Sequence, residues 1–377
     1  MTVRAQPAAI AALLAVATLP FWSAAAQQPH RYLYVGVPGS DTDFTDRVAS
    51  GILVFDIEDG HKFVRRISLD KPLDSARGKV VARDERVRGI AADISTRRLY
   101  VSTVERISAI DLLTDRVIWE NSYGGQCCDR LDVSPDGATI YAPALGKAAW
   151  YVIRAAEGSL ITTIDVMGYP RQTIFSNDGR HAFLGAWESR VISVADTATH
   201  KIVREVGPFS DFVCPFTING RETLAFANVD GLVGVEVGDL KTGLILDRVS
   251  VEGSDAEAAA KYECPSHGIA LTPDERELWL ADGVDNRLHV FDAASYPPVP
   301  ARRIELRAQP RWITFSIDGR YAYPSTGDVI DTVSGKIVAA LEDDHGVVVR
   351  SEKMLEVDFA GKSPIRATDQ VAIGGKR

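Results

Sequence analysis

Short apolar runs separated by polar turns recur along most of the chain. The stretch from Cys264 to Asp292 shows the unit clearly: Ile269 to Leu271, a turn at Thr272-Pro273-Asp274-Glu275, a second run from Leu278 to Ala281, a polar loop, and a third run closing on Asp292. Runs this short, bounded by Pro, Asp and Gly, read as strands of an antiparallel meander rather than as helices.

The turn motif returns as ADISTRRLY from Ala92, VSPDGATIY from Val133, FSNDGRHAF from Phe175, FTINGRETL from Phe216, LTPDERELW from Leu271 and FSIDGRYAY from Phe315. A large residue sits at one offset in each: Tyr100, Tyr141, Phe183, Leu224, Trp279 and Tyr323. The turns start at Asp93, Ser134, Ser176, Thr217, Thr272 and Ser316, steps of 41 to 44 residues except where Gly253 to Glu263 inserts a loop or helical turn. A period in this range is a propeller signature. Third runs end alike in Phe55-Asp56, Ile110-Asp111, Ala195-Asp196, Phe291-Asp292 and Ile330-Asp331, where the aspartate suits an Asx turn into a fourth strand.

Seven such units are counted, and the expected fold is all-β: a seven-bladed propeller of four-stranded antiparallel blades. A lone four-stranded sheet cannot bury both faces, whereas seven packed radially can, around a narrow axial channel. The first unit opens at Arg31-Tyr32-Leu33-Tyr34-Val35, in the position of a second strand. The run Val347 to Phe359 is the expected donor of the missing innermost strand. The same unit carries polar insertions at Pro38 to Ser50 and Asp70 to Arg86.

Residues 1–26 are set apart. Arg4, the apolar run Ala8 to Trp22 and Ser23-Ala24-Ala25-Ala26 have the plan of a secretory signal peptide, with 27–377 as the propeller domain in the periplasm or outside the cell. No later stretch is apolar enough for a transmembrane segment. Net charge is −9 with Lys and Arg scattered, so no basic stripe suits nucleic acid. A monomer is expected.

The turn Ser134-Pro135-Asp136-Gly137, the strand with Ile140-Tyr141 and the strand Val329-Ile330-Asp331 together resemble the YVTN (YncE-like) family of bacterial seven-bladed propellers, over nearly the whole mature chain. Propellers related to that family include lactonases, lyases, the large subunit of quinoprotein amine dehydrogenases and plain binding proteins, so the resemblance implies fold more than function.

Propeller ligands usually meet the loop that delivers each innermost strand to the channel. Five residues before each turn start stand Arg88, Asp129, Arg171, Phe212, His267 and Arg311, with Arg130, Gln172 and Trp312 next to them. Arginines converging around a carboxylate suit a small anion, because guanidinium offers a planar fork of donors. The competing reading is that the arginines pair with Asp129, Asp132 and other carboxylates to hold blades together. His267 is the best single candidate for proton transfer.

The four cysteines, Cys127, Cys128, Cys214 and Cys264, allow three pairings. A disulfide linking two mouth loops, or one of them to Cys214, suits an exported ring. A vicinal Cys127–Cys128 bond, of the kind found in some quinoprotein dehydrogenases, is an alternative. Cys127, Cys128, Cys264 and His267 could instead hold zinc or copper, although no Cys-x-x-Cys or His-x-x-x-His spacing supports a metal. Gly-x-Ser-x-Gly, a phosphate-cradling glycine loop and His-Glu-x-x-His are all absent. No cofactor is predicted. The sequence points to a binding module for a small anionic molecule or a protein partner, with a lactonase-like or lyase-like enzyme or an amine dehydrogenase subunit as the alternative.

Overall fold

The computed structural model describes residues 1–2, 29–37, 50–69, 86–124, 126–254, 256–259 and 261–375. The expected signal peptide and the two insertions of the first unit lie almost wholly outside the described residues. Among the described residues no helix is long and apolar enough to cross a membrane. Helix is confined, among the described residues, to one turn, Ala256–Ala259, in the segment that interrupts the repeat.

Seven antiparallel sheets form the ring. Blade 2 comprises Val87–Asp93, Arg98–Thr103, Ile107–Asp111 and Val117–Asn121. Blades 3 to 7 begin at Asp132–Val133, Tyr169–Phe175, Val213–Ile218, Ser266–Leu271 and Ile313–Phe315, and each runs outward through four strands. The predicted Asx turns are present: Asp56, Asp111, Asp196 and Asp331 accept backbone N–H groups two or three residues on.

Packing explains the recurring large residue. Seven apolar clusters lie between neighbouring blades, and each contains one of Tyr34, Tyr100, Tyr141, Phe183, Phe226, Trp279 and Tyr323. A blade therefore becomes stable only by covering its neighbour, as in other repeat folds. Blade 5 corrects the sequence alignment by two residues. Its turn begins at Asn219, whose N–H bonds the Leu224 carbonyl, and Phe226 faces Thr217 across the pair. Phe226, not Leu224, fills the inter-blade position. The shift arises because Asn219 replaces the Ser or Thr of the other turns, binding the N–H groups of Thr223 and Leu224 through its side chain.

Ring closure follows the expected plan with one addition. Met354–Ala360 pairs antiparallel with His30–Val37, with Leu355 opposite Tyr34, and so supplies the innermost strand of blade 1. Ser363–Ala367 then adds a fifth strand inside it. Beyond it, residues 368–375 fill the channel expected to be open. Gln370 accepts from the Ile90 N–H at 3.2 Å and donates to the Leu131 carbonyl at 2.8 Å, while its own carbonyl accepts from Trp312 Nε1 at 2.6 Å. The Ala372 carbonyl accepts from Thr217 Oγ1 and Leu271 N–H, and Gly374 N–H donates to Ile218. Val371 and Ile373 pack into the cluster between blades 4 and 5. The tail is thus tied to blades 2, 3, 5, 6 and 7.

Candidate functional site

Three of the predicted mouth residues, Arg88, Arg171 and His267, and also Cys214, occupy irregularities in the innermost strands. Pairing skips Arg88 between Val87 and Gly89, Arg171 between Pro170 and Gln172, Cys214 between Val213 and Phe216, and His267 between Ser266 and Ile269. A bulge frees one residue from the ladder and re-aims its side chain, and here it does so repeatedly at one level of the channel. Two glycines keep this rim narrow. A Cβ on Gly89 would stand 2.8 Å from the Arg130 Cα, and one on Gly268 would stand 2.6 Å from the Trp312 Cα.

With blade 5 in its observed register, Cys214 takes the position assigned to Phe212. Applying the same offset to the closing strand adds a seventh residue, Glu352, three before Leu355 as Arg88 is three before Ala91. Glu352 was missed because blade 1 has no turn motif from which to count, and the offset becomes usable only once its innermost strand is known.

Two buried carboxylates organise the cations. Asp129 is approached by Arg88 at 3.6 Å, Arg171 at 3.2 Å and Arg130 at 3.3 Å. Glu352 pairs with Arg130, with Arg311 at 3.3 Å and with Lys353 at 3.0 Å. Burial works against ionising Glu352, yet Lys353, Arg130, His267 and Arg311 hold its pKa well below the usual carboxylate range. Arg88, Arg171, Arg130, Arg311 and Lys353 thus all approach these two carboxylates. Part of the structural reading holds as well, since Asp129 ties blades 2, 3 and 4 together. Asp132 instead accepts the backbone N–H of Val133 and of Phe175.

The residues are not equivalent. Gln172 spends its amide on the Phe216 backbone, donating at 2.7 Å and accepting at 3.2 Å, and so pins blade 4 to blade 5. Trp312 is buried, with its N–H bound to the tail and the Arg130 guanidinium 4.4 Å above its ring. Arg171 and Arg311 remain about one-third exposed, at 33% and 30% of their side chains. Both line a cavity of ≈ 280 Å³ together with Arg130, His267, Glu263, Trp187 and the Cys214–Cys264 pair.

His267 donates from Nδ1 to the Arg311 carbonyl at 2.7 Å. Burial, reinforced by the Arg311 and Arg130 charges and opposed by Glu352, pushes its pKa down to about 4. At neutral pH it is therefore an uncharged acceptor through Nε2, with no imidazolium proton to deliver. That state does not suit a general acid.

All four cysteines are oxidised. Cys214–Cys264 joins the rim of blade 5 to the loop before blade 6, and Cys127–Cys128 is a vicinal bond. The loop-to-Cys214 bridge is the expected one. The vicinal pair lies in a segment held by Cys127 N–H to Val104 O, Cys128 N–H to Thr103 O and Leu145 N–H to Cys127 O, which positions Asp129 directly after it. With every sulfur in a disulfide, the alternative Cys/His metal site has no thiolate ligand.

No family model matches the chain, and no curated protein matches it in sequence. Among solved structures, the fold is similar to the β-propeller domain of Myceliophteria thermophila Cps50 (Swd1), at 10% identity and a TM-score of 0.55, covering 77% of this chain and 90% of that one. Hydrazine synthase of Kuenenia stuttgartiensis is matched at 16% identity and a TM-score of 0.45, covering 74% of this chain and 99% of that one. Architecture and likeness together define the class: the protein is a seven-bladed β-propeller.

Proposed function

We propose that the protein is an exported, YVTN-like propeller that binds a small anionic ligand at the arginine-lined mouth of its plugged channel. The observation that carries this reading is the pair Arg171 and Arg311. Each uses one side of its guanidinium on a buried carboxylate and leaves the rest facing the same cavity. A guanidinium held this way is preorganised, so less side-chain freedom is lost when it meets a carboxylate or phosphate. Export is supported by the two disulfides, which persist in oxidising compartments.

A thermal-shift series with dicarboxylates, phosphorylated sugars and lactones tests the site. A ligand present at 100 times its Kd should add about 2.7 kcal/mol of stability, and the gain should vanish in Arg171→Ala and Arg311→Ala. If no anion stabilises the wild type, the reading fails.

A further inference from the structure

The cavity is not uniformly basic. Glu263 lines it with Arg171 and Arg311, yet it forms no ion pair with either arginine among the described residues. The arginines are directed to Asp129 and Glu352 instead. Burial together with the charges of Asp230 and Glu188 raises the Glu263 pKa, outweighing the opposing effect of the arginines. Glu263 therefore stands on the cavity lining within electrostatic reach of Arg171 and Arg311, with Asp230 and Glu188 near enough to act on it, and pairs with neither arginine. Asp230 is itself fixed, accepting the Cys264 N–H at 2.9 Å, and the Cys214–Cys264 bond fastens that loop to the rim.

Much of the remaining lining is apolar: Ala186, Trp187, Val213, Pro215 and the Cys214–Cys264 pair, with Trp187 also beneath the Arg171 guanidinium at 5.2 Å. Charges of opposite sign that are not paired with each other, lining one cavity that is also walled by apolar residues, match a ligand that carries both charges itself.

We propose that the ligand is a small zwitterion, an amino acid with an apolar side chain: its carboxylate meets Arg171 and Arg311, its ammonium meets Glu263, and its side chain lies on Trp187, Val213 and Pro215. This rests on the anion-site reading and specifies it further. Glu263 supplies discrimination, because a plain carboxylate leaves its charge facing the ligand uncompensated.

Three compounds sharing one alkyl chain separate the contributions of the two charges. Calorimetric titration of the full-length protein with 2-aminohexanoate, hexanoate and pentylamine at pH 7.5 should show 2-aminohexanoate binding about tenfold more tightly than hexanoate, with pentylamine weakest. Glu263→Gln, an exposed position whose folding is checked by its melting temperature, should bring 2-aminohexanoate to within about twofold of hexanoate, and Arg171→Ala should weaken both. Hexanoate binding as tightly as 2-aminohexanoate in the wild type would overturn the zwitterion assignment and leave the anion site standing. The zwitterion assignment is equally overturned if dicarboxylates or phosphorylated sugars bind and 2-aminohexanoate does not. If no anion binds at all, both proposals fall.

Discussion

Glu352→Gln is predicted to weaken the fold and strengthen anion binding at the same time. The side chain is 1% exposed and faces Lys353 at 3.0 Å and Arg311 at 3.3 Å, with Arg130 as a third partner. At an effective dielectric of about 20 each contact is worth roughly 4 kcal/mol gross. Most of that is offset by desolvation, and breaking a buried pair usually costs about 3–5 kcal/mol net. Unfolding entropy of about 2.1 cal/mol/K per residue over ~350 residues converts this into a fall of roughly 4–7 °C in melting temperature. The depressed Glu352 pKa fixes the sign with pH: its stabilisation is present above the ordinary glutamate range and is lost as pH falls through that range toward the folded value. The gap between wild type and Glu352→Gln should therefore narrow in acid. Removing one negative charge from the partners of Arg311 and Arg130 should tighten anion binding, roughly tenfold or ~1–2 kcal/mol. Differential scanning fluorimetry with and without the tightest-binding anion, repeated from pH 4 to 8, reads both effects. A variant that melts with the wild type and binds anions no better would refute the assignment of Glu352 as the central counter-charge.

Glu356, on the same closing strand, is buried beside the carboxyl of Asp358, which is also buried. Burial and the hydrogen bond to Asp358 raise the Glu356 pKa far above the glutamate range. The folded state then holds a proton that the unfolded chain releases, so stability should drop by up to ~1.4 kcal/mol per pH unit from the ordinary glutamate pKa upward; urea titrations of Glu356→Gln should lose this slope, and an unchanged slope sinks the claim. Cys214–Cys264 spans 50 residues, and its removal should cost up to about 4 kcal/mol through chain entropy, whereas Cys127–Cys128 closes almost no loop; guanidinium midpoints of the two double alanine variants should differ accordingly. Gln370→Ala leaves the Ile90 N–H and Leu131 carbonyl without their partner in the filled channel, at a cost of about 2–4 kcal/mol in urea denaturation.

The period, the blade count and the strand-donating closure are legible in the sequence because each rests on local chemistry. A polar turn centred on Asp, Asn or Gly recurs in six of the units, and a large residue sits in the second strand of each blade. Blade 5 shows the limit. Asn219 can initiate the same turn as Ser176 or Ser316, so counting from Thr217 moves the alignment by two and hides Phe226 and the rim position of Cys214. At the site, residue types and level could be read, but accessibility could not. Arg88, Arg171 and Arg311 look alike in sequence, yet only Arg171 and Arg311 line the cavity beside Glu263. The tail was illegible for another reason. Its contacts join residues such as Gln370 and Leu131, far apart in sequence, through single side-chain and backbone hydrogen bonds that leave no periodic trace.

Closure and the arrangement of the rim charges depend on the same strand. Met354–Ala360 completes blade 1 by pairing with His30–Val37, and the residues just before it, Glu352 and Lys353, enter the rim only because that pairing fixes their height. A separate segment, 368–375, then fills the channel beneath the rim and binds Trp312, on which Arg130 stacks. The cationic mouth is therefore the open end of a closed cup, with low-dielectric protein behind its charges. In such a setting, a guanidinium interacts with an anion more strongly than it would on an open surface. A ring left open at blade 1 would lose its last blade interface and the fixed height of Glu352, and with them the placement of Arg130 and Arg311, so the geometry of the rim and cooperative unfolding should fail together rather than separately.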